Sequence, residues 1–114
     1  MSSLSLGKDG VITLLSGTAT EPPDAHVLEG GALRRLTKAN DALLAELQLA
    51  TTEDVTSKSK DGTEVHSILV KPAGYVVGKK YPMLLIIHGG PNGQDQHSFS
   101  FDREFYAANG YVVL

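Results

Sequence analysis

Apolar residues fall in short runs through the first part of the chain and in more continuous runs through the second. Gly10-Val-Ile-Thr-Leu-Leu15 is rich in β-formers, and Ala25-His-Val-Leu28 makes a second short run. Gly17 and the Pro22-Pro23 pair separate them, and Glu29-Gly-Gly31 turns the chain again. Short strands punctuated by Gly and Pro predict an antiparallel meander. Asn40 and Asp41 then precede residues 42–47, supplying an N-cap and an acidic first turn. Leu43, Leu44 and Leu47 share one face there, which predicts a short amphipathic helix. The pattern changes near residue 50, dividing the chain into 1–50 and 51–114.

The second part opens on polar alternation in residues 55–60, followed by Asp61-Gly62 and the run of residues 63–70. Asp-Gly between two such runs is a strong hairpin signal. Residues 71–82 form a loop with Pro72 and Pro82 near its ends. Met83-Leu-Leu-Ile-Ile87 is apolar at every position. Such a strand is expected in the middle of a covered, mostly parallel sheet. Ser100 can cap a helix over residues 101–108, with Phe101, Phe105 and Ala108 as its apolar stripe and Asn109-Gly110 as its stop. Residues 111–114 read as a second buried strand. Residues 89–110 are long enough for a crossover between parallel strands, so the reading is a β-α-β unit. Two parallel strands alone leave edges and apolar faces uncovered. The expectation is a segment of a larger protein, an incomplete α/β fold.

Composition narrows the function. The chain has 114 residues and a formal net charge of −3, from 10 Lys+Arg against 13 Asp+Glu. No basic stripe is available to neutralise phosphates, which argues against nucleic acid as a partner. No apolar run approaches the ~20 residues of a spanning helix, which argues against a membrane partner. The opening Met-Ser-Ser-Leu-Ser-Leu-Gly-Lys has neither the cationic start nor the long apolar stretch of a signal peptide, so a cytoplasmic location is expected. Cysteine is absent, which removes disulfides, thiolate metal sites and cysteine nucleophiles.

Candidate chemistry lies at the carboxyl end of residues 83–87, where ligands bind in open α/β sheets. The loop there is His88-Gly89-Gly90-Pro91. Consecutive glycines turn sharply and present N–H groups with no Cβ in the way. A pair of such donors is what an oxyanion hole offers a tetrahedral acyl-transfer intermediate. A strand-to-helix turn using Gly for geometry alone is the competing reading, and the apolar strand before it and the helix after it favour the oxyanion reading. Gly89–Gly93 is not a phosphate loop, since the Gly-Lys-Ser/Thr ending is missing. Asp95, His97 and Asp102 match no metal-ligand spacing, and residues 95–97 read as loop near a substrate entrance or as solvated surface. His26 and His66 read as sheet residues.

Tyr81-Pro-Met-Leu-Leu-Ile-Ile-His-Gly-Gly-Pro-Asn-Gly93, with Ala107-Ala-Asn-Gly-Tyr-Val-Val-Leu114, closely resembles the prolyl oligopeptidase family of serine peptidases, in its acylaminoacyl-peptidase and dipeptidyl-peptidase-like branch. Lys60-Asp-Gly-Thr-Glu-Val-His66 and Leu69-Val-Lys-Pro72 resemble the opening hairpin of that family's hydrolase domain. Glu21-Pro-Pro-Asp-Ala-His-Val-Leu28 and Arg35-Leu-Thr-Lys-Ala-Asn40 resemble the end of the β-propeller before it. The resemblance implies residues 1–50 as the propeller end and connecting helix, and residues 51–114 as the start of an α/β-hydrolase domain. It implies Gly90, with Gly89 beside it, as oxyanion-hole backbone, and His88 and Pro91 as substrate-binding neighbours. Peptide is then the substrate, the remainder of the parent peptidase is the partner, and no cofactor or metal is implied; oligomerisation is left open.

The triad order of this fold is Ser, Asp, His, all after the oxyanion loop, so His88 is not the triad base. The chain holds no Gly-x-Ser-x-Gly elbow, and alone it is expected to be inactive. Two other readings stand beside this one. An esterase or lipase of the same fold also uses a His-Gly-Gly loop, but Pro91 stands where those loops usually carry another Gly. The other is a truncated, non-enzymatic chain.

Overall fold

The computed structural model describes residues 2–114. Strands β1 (Ser2–Leu6), β2 (Ile12–Ser16), β3 (Asp24–Glu29) and β4 (Ala32–Arg35) pair in sequence order as an antiparallel meander. Two of these strands coincide with the apolar runs near residues 10–15 and 25–28; β1 and β4 are additional. Glu29 faces Ala32 across a two-residue Gly30-Gly31 turn, with φ of 57° and 82°, the geometry of a type I′ hairpin. The Arg34 guanidinium spans this turn, donating to both Glu29 carboxylate oxygens at 2.9 and 2.8 Å.

Leu14 and Val27 are buried in this sheet, and so is Asp24 at 4% exposure. A buried carboxylate needs hydrogen-bond partners, and Asp24 has several. Arg35 Nε donates to Asp24 Oδ2 at 2.8 Å, and the Thr37 hydroxyl donates to Oδ1. Thr37 Oγ1 in turn accepts the Ala25 N–H at 3.0 Å. Arg35 also reaches the Asp41 carboxylate, tying the end of β4 to the start of helix α1 (Asp41–Glu46). The Thr37 hydroxyl first, and the Arg35 guanidinium second, hold the Asp24 carboxyl below its ordinary range.

Helix α1 starts at the expected Asn40-Asp41, but Asn40 caps it through its backbone only: its carbonyl accepts the Leu44 N–H at 2.9 Å, and its side chain makes no cap bond. No residue of α1 is buried, and Leu43 and Leu47 stand in solvent. Of the expected apolar face, only Leu44 is half-buried.

The second sheet contains β5 (Thr51–Lys58), β6 (Glu64–Lys71), β7 (Met83–Leu84) and β8 (Val112–Val113), in the order β5-β6-β8-β7. β5 and β6 form the expected hairpin. Its turn is longer than the two residues that Asp-Gly suggests: Ser59 N–H donates to Thr63 O at 2.9 Å, closing Lys60, Asp61 and Gly62 into a three-residue loop. The Asp61 carboxylate accepts from the Ser59 hydroxyl and from the Thr63 N–H. Those two bonds, the hydroxyl first, lower its pKa to about 2.

β7 and β8 are parallel and joined through helix α2 (Phe101–Ala108), the β-α-β unit read from the sequence. Ladder bonds run past the strand bounds, from Val112 N–H to Pro82 O at 2.9 Å and from Ile86 N–H to Leu114 O at 2.8 Å. Among the described residues the strand at 83–87 is paired on one side only: β8 lies inside the sheet, antiparallel to β6 on one side and parallel to β7 on the other. Its Val112 and Val113 are buried, whereas β7 lies at the edge, with Met83, Leu85, Ile86 and Ile87 exposed. The sheet is therefore mixed, because the antiparallel hairpin takes the other half of it.

Helix α2 has the expected ends and a different buried face. Ser100 caps it, its side chain accepting the Arg103 N–H. Gly110, at φ 84°, ends it: Tyr111 N–H bonds Tyr106 O and Gly110 N–H bonds Ala107 O, the double bond of a Schellman stop. The expected stripe of Phe101, Phe105 and Ala108 points away from the sheet, with Phe101 and Phe105 exposed. Ala107 is the buried helix residue, joining Ala50, Val70 and Val113 with Ile68 alongside. A methyl side chain at 107 allows close approach, and the Glu104 carboxylate fixes that face by accepting the Ala50 N–H at 2.9 Å.

No strand of the first sheet packs on a strand or helix of the second. The radius of gyration is 17.4 Å, against about 13 Å for a compact chain of this length.

Candidate functional site

The strand leading into His88-Gly89-Gly90-Pro91 is held by the β8 ladder as far as Ile86. Beyond it the backbone leaves the sheet and curls back on itself. His88 Nδ1 lies 3.1 Å from Gly89 O. Gly90 has φ 148°, and a Cβ there would lie 2.5 Å from Gly93 N and 2.8 Å from Asn92 N. At Gly93 a Cβ would meet Gly89 O at 2.0 Å. Both positions require glycine, Gly90 for its conformation as well as its space. Gly89 is different: a Cβ there meets nothing within 4 Å, so it leaves one side of the backbone open.

All residues of this loop from His88 to Gly93 are exposed. Among the described residues no carbonyl or side chain accepts from the Gly89 or Gly90 amide. Two adjacent unengaged N–H groups on a tightly turned backbone can receive an anionic oxygen. They are the donors the sequence singles out. Pro91 follows directly, fixing its own φ and removing a third amide from the turn.

The returning arm of the loop is anchored more firmly than its sequence suggests. Residues 95–97, expected as entrance-lining or solvated positions, include His97, whose Nε2 lies 2.7 Å from Asp54 Oδ1 on β5. From α2, the Arg103 guanidinium donates to Gln96 O at 3.3 Å and to Ser98 O at 3.2 Å. The His97–Asp54 contact joins residues far apart in sequence, so no local spacing could reveal it. Asp95 and Asp102 are exposed, and among the described residues no three His, Asp or Glu side chains gather as a metal site. His26 Nδ1 lies 2.9 Å from Asp24 O, and His66 Nδ1 lies 3.2 Å from Thr56 Oγ1; both are sheet residues. No helix among the described residues is long and apolar enough to cross a membrane.

No protein-family model matches the chain. Individual proteins do. The uncharacterized peptidase YuxL of Bacillus subtilis (strain 168) is 30% identical over 116 residues, covering 100% of this chain and 18% of that protein. Dipeptidyl-peptidase 5 of Arthroderma otae is 43% identical over 54 residues, covering 46% of this chain and 7% of its own length. Among solved structures, the acylaminoacyl peptidase of Pyrococcus horikoshii superposes with a TM-score of 0.82 at 26% identity, over 97% of this chain and 17% of that one. This chain thus spans less than a fifth of the length of each of these proteins. By sequence across its length to the Bacillus protein, and by fold across nearly all of it to the Pyrococcus enzyme, the chain is similar to peptidases of the prolyl oligopeptidase family.

Proposed function

We propose that this chain is a segment of a serine peptidase that cleaves peptide bonds by acyl transfer, and that it supplies the oxyanion loop. Residues 1–50 are the closing strands of a propeller blade with its connecting helix, and residues 51–114 open the α/β-hydrolase domain. The antiparallel meander of β1–β4 suits a blade, and the mixed sheet with its β-α-β unit suits the start of a hydrolase sheet. The observation carrying the functional reading is the pair of unengaged amides at Gly89 and Gly90, at the carboxyl end of β7.

In this mechanism a serine hydroxyl attacks the peptide carbonyl, and the carbonyl oxygen becomes an oxyanion. The Gly90 amide, with Gly89 beside it, donates to that oxygen as charge develops. His88 and Pro91 flank the bound peptide. Collapse expels the amine and leaves a serine ester, which water then hydrolyses. This chain holds no Gly-x-Ser-x-Gly motif, so nucleophile and triad come from the rest of the peptidase, and the 114 residues alone turn nothing over. Peptidase relatives support a peptide substrate over a carboxylic ester or a lipid, as does Pro91.

Fluorophosphonate labelling tests this. An antibody to the exposed hairpin and loop of residues 61–91 is used on lysate of the source cells, and the recognised band is read for label and mass. The expected band is labelled and far heavier than 12.1 kDa. An unlabelled band at 12.1 kDa overturns the reading. In the labelled enzyme, Gly90→Ala is expected to lower kcat by about 10²–10³, since its Cβ would collide with backbone at Asn92 and Gly93.

A further inference from the structure

The loop carrying Gly89 and Gly90 is long and exposed, yet its returning arm touches two separate elements. Asp54 of β5 meets His97 at 2.7 Å, and Arg103 of α2 holds the Gln96 and Ser98 carbonyls. Ser98 N–H closes a turn onto Gln96 O at 2.8 Å. Around this junction lies a water-sized cavity of about 10 Å³, bordered by Thr52, His97, Ser98, Arg103 and Glu104, with Ala19 from the first part of the chain at its rim. The outgoing arm is fixed at Ile86 by the β8 ladder. Between these two anchors the turn of residues 88–93 has no side-chain hydrogen bond to either sheet among the described residues.

We infer that Asp54 and His97 are positioning residues, a clasp between hairpin strand β5 and the glycine loop that sets the direction of the Gly89 and Gly90 amides. The inference rests on the oxyanion reading for its catalytic meaning but not for its structural content. A turn fixed at one end only can rotate about its first residue; fixing the second end removes that freedom. Arg103 anchors the arm to α2, which is itself packed on the sheet through Ala107 and Glu104. Asp54 adds a direct contact from the arm to hairpin strand β5. The clasp is a charge-assisted hydrogen bond when the imidazole is protonated and an ordinary one otherwise. Arg103 and Glu104 of α2 border the same junction, with Arg103 on the Gln96 and Ser98 carbonyls and Glu104 on the Ala50 N–H.

The test is nitrogen-15 relaxation and amide shifts of the 114-residue chain, compared with Asp54→Ala, His97→Ala and the double variant. Val70 and Val113 amides report whether the sheet remains folded; Asp54 and His97 are 79% and 49% exposed, so their replacement leaves the core intact. In the unmodified chain the Gly89 and Gly90 amides are expected to be ordered, with order parameters near 0.85. In each variant these order parameters drop toward about 0.6 or below and the two amide shifts move. The double variant matches the singles, because either one opens the clasp. His97→Gln, which keeps a donor, restores part of the order.

If only residues 95–98 respond while Gly89 and Gly90 stay unchanged, the clasp is a local surface pair and the inference is wrong. It fails equally if the double variant leaves the Gly89 and Gly90 shifts and order parameters as they are in the unmodified chain. Failure of the peptidase reading shows instead in the fluorophosphonate experiment, which does not depend on the clasp.

Discussion

Asp61 shows how a single side chain fixes local structure here. Its carboxylate gathers the Ser59 hydroxyl and the Thr63 N–H, both within its own hairpin loop. Each donor favours the charged carboxylate over the acid, and its pKa falls to about 2. An unfolded Asp titrates near 3.9, so the folded turn binds its proton less readily than the unfolded chain does. Its stabilising contribution is therefore complete above about pH 4, declines as pH falls through the interval, and is gone below about pH 2. Asp24 acts with the same sign, its carboxyl held down by Thr37 and Arg35. Amide exchange of Thr63 followed from pH 5 to pH 2 is expected to accelerate beyond its intrinsic pH dependence. Asp61→Asn is expected to exchange at its faster rate throughout and to show no such step. A parent chain lacking the step would remove the carboxylate from its role in the turn.

At the scale of elements, periodicity located the pieces and misjudged some of their surroundings. The helix at residues 101–108 was legible from Ser100, the apolar spacing and Asn109-Gly110, and the two end signals have their physical counterparts in the cap and the double-bonded stop. Its packing face was not. A stripe of Phe101 and Phe105 is the natural choice on hydrophobicity, but Ala107 allows a closer approach to β8 and Glu104 adds a bond to Ala50. Both are tertiary facts. Likewise the apolar run at residues 83–87 indicated a strand without indicating its neighbours, of which β8 is the one paired to it among the described residues. β1 carried a readable alternation in Ser3-Leu4-Ser5-Leu6, whereas Ala32-Leu-Arg-Arg35 of β4 carried none and is placed by the Gly30-Gly31 turn. Of the candidate site, the glycine turn was legible because glycine geometry is local; its anchors Asp54 and Arg103 were not. Gly110 gives the sharpest test at this scale. At φ 84° a Cβ costs about 1 kcal/mol in strain, although nothing crowds it. Gly110→Ala is expected to destabilise the second sheet by about that amount, read as a lower urea midpoint, while Gly110→Asn, which tolerates this conformation, loses less.

The whole molecule is two sheets joined through a connecting stretch of chain rather than one core. The first is held by Leu14, Val27 and the Asp24–Arg35–Thr37 cluster, the second by Ala50, Val70, Ala107 and Val113. These are small clusters, and the second contains two alanines. Large apolar side chains remain outside both: Leu85, Ile87, Phe101 and Phe105 on the β-α-β unit, and Leu43 and Leu47 at α1. Exposed apolar area of this kind drives association, while the lack of packing between the sheets keeps the chain extended. The two effects separate by concentration. Small-angle scattering extrapolated to zero concentration is expected to give a radius of gyration near the 17.4 Å of the structure rather than the roughly 13 Å of a compact chain. The apparent mass is expected to rise with concentration, and Ile87→Lys with Phe101→Lys to suppress that rise without changing the extrapolated radius. A radius near 13 Å would mean that the two sheets close on each other and bury these side chains.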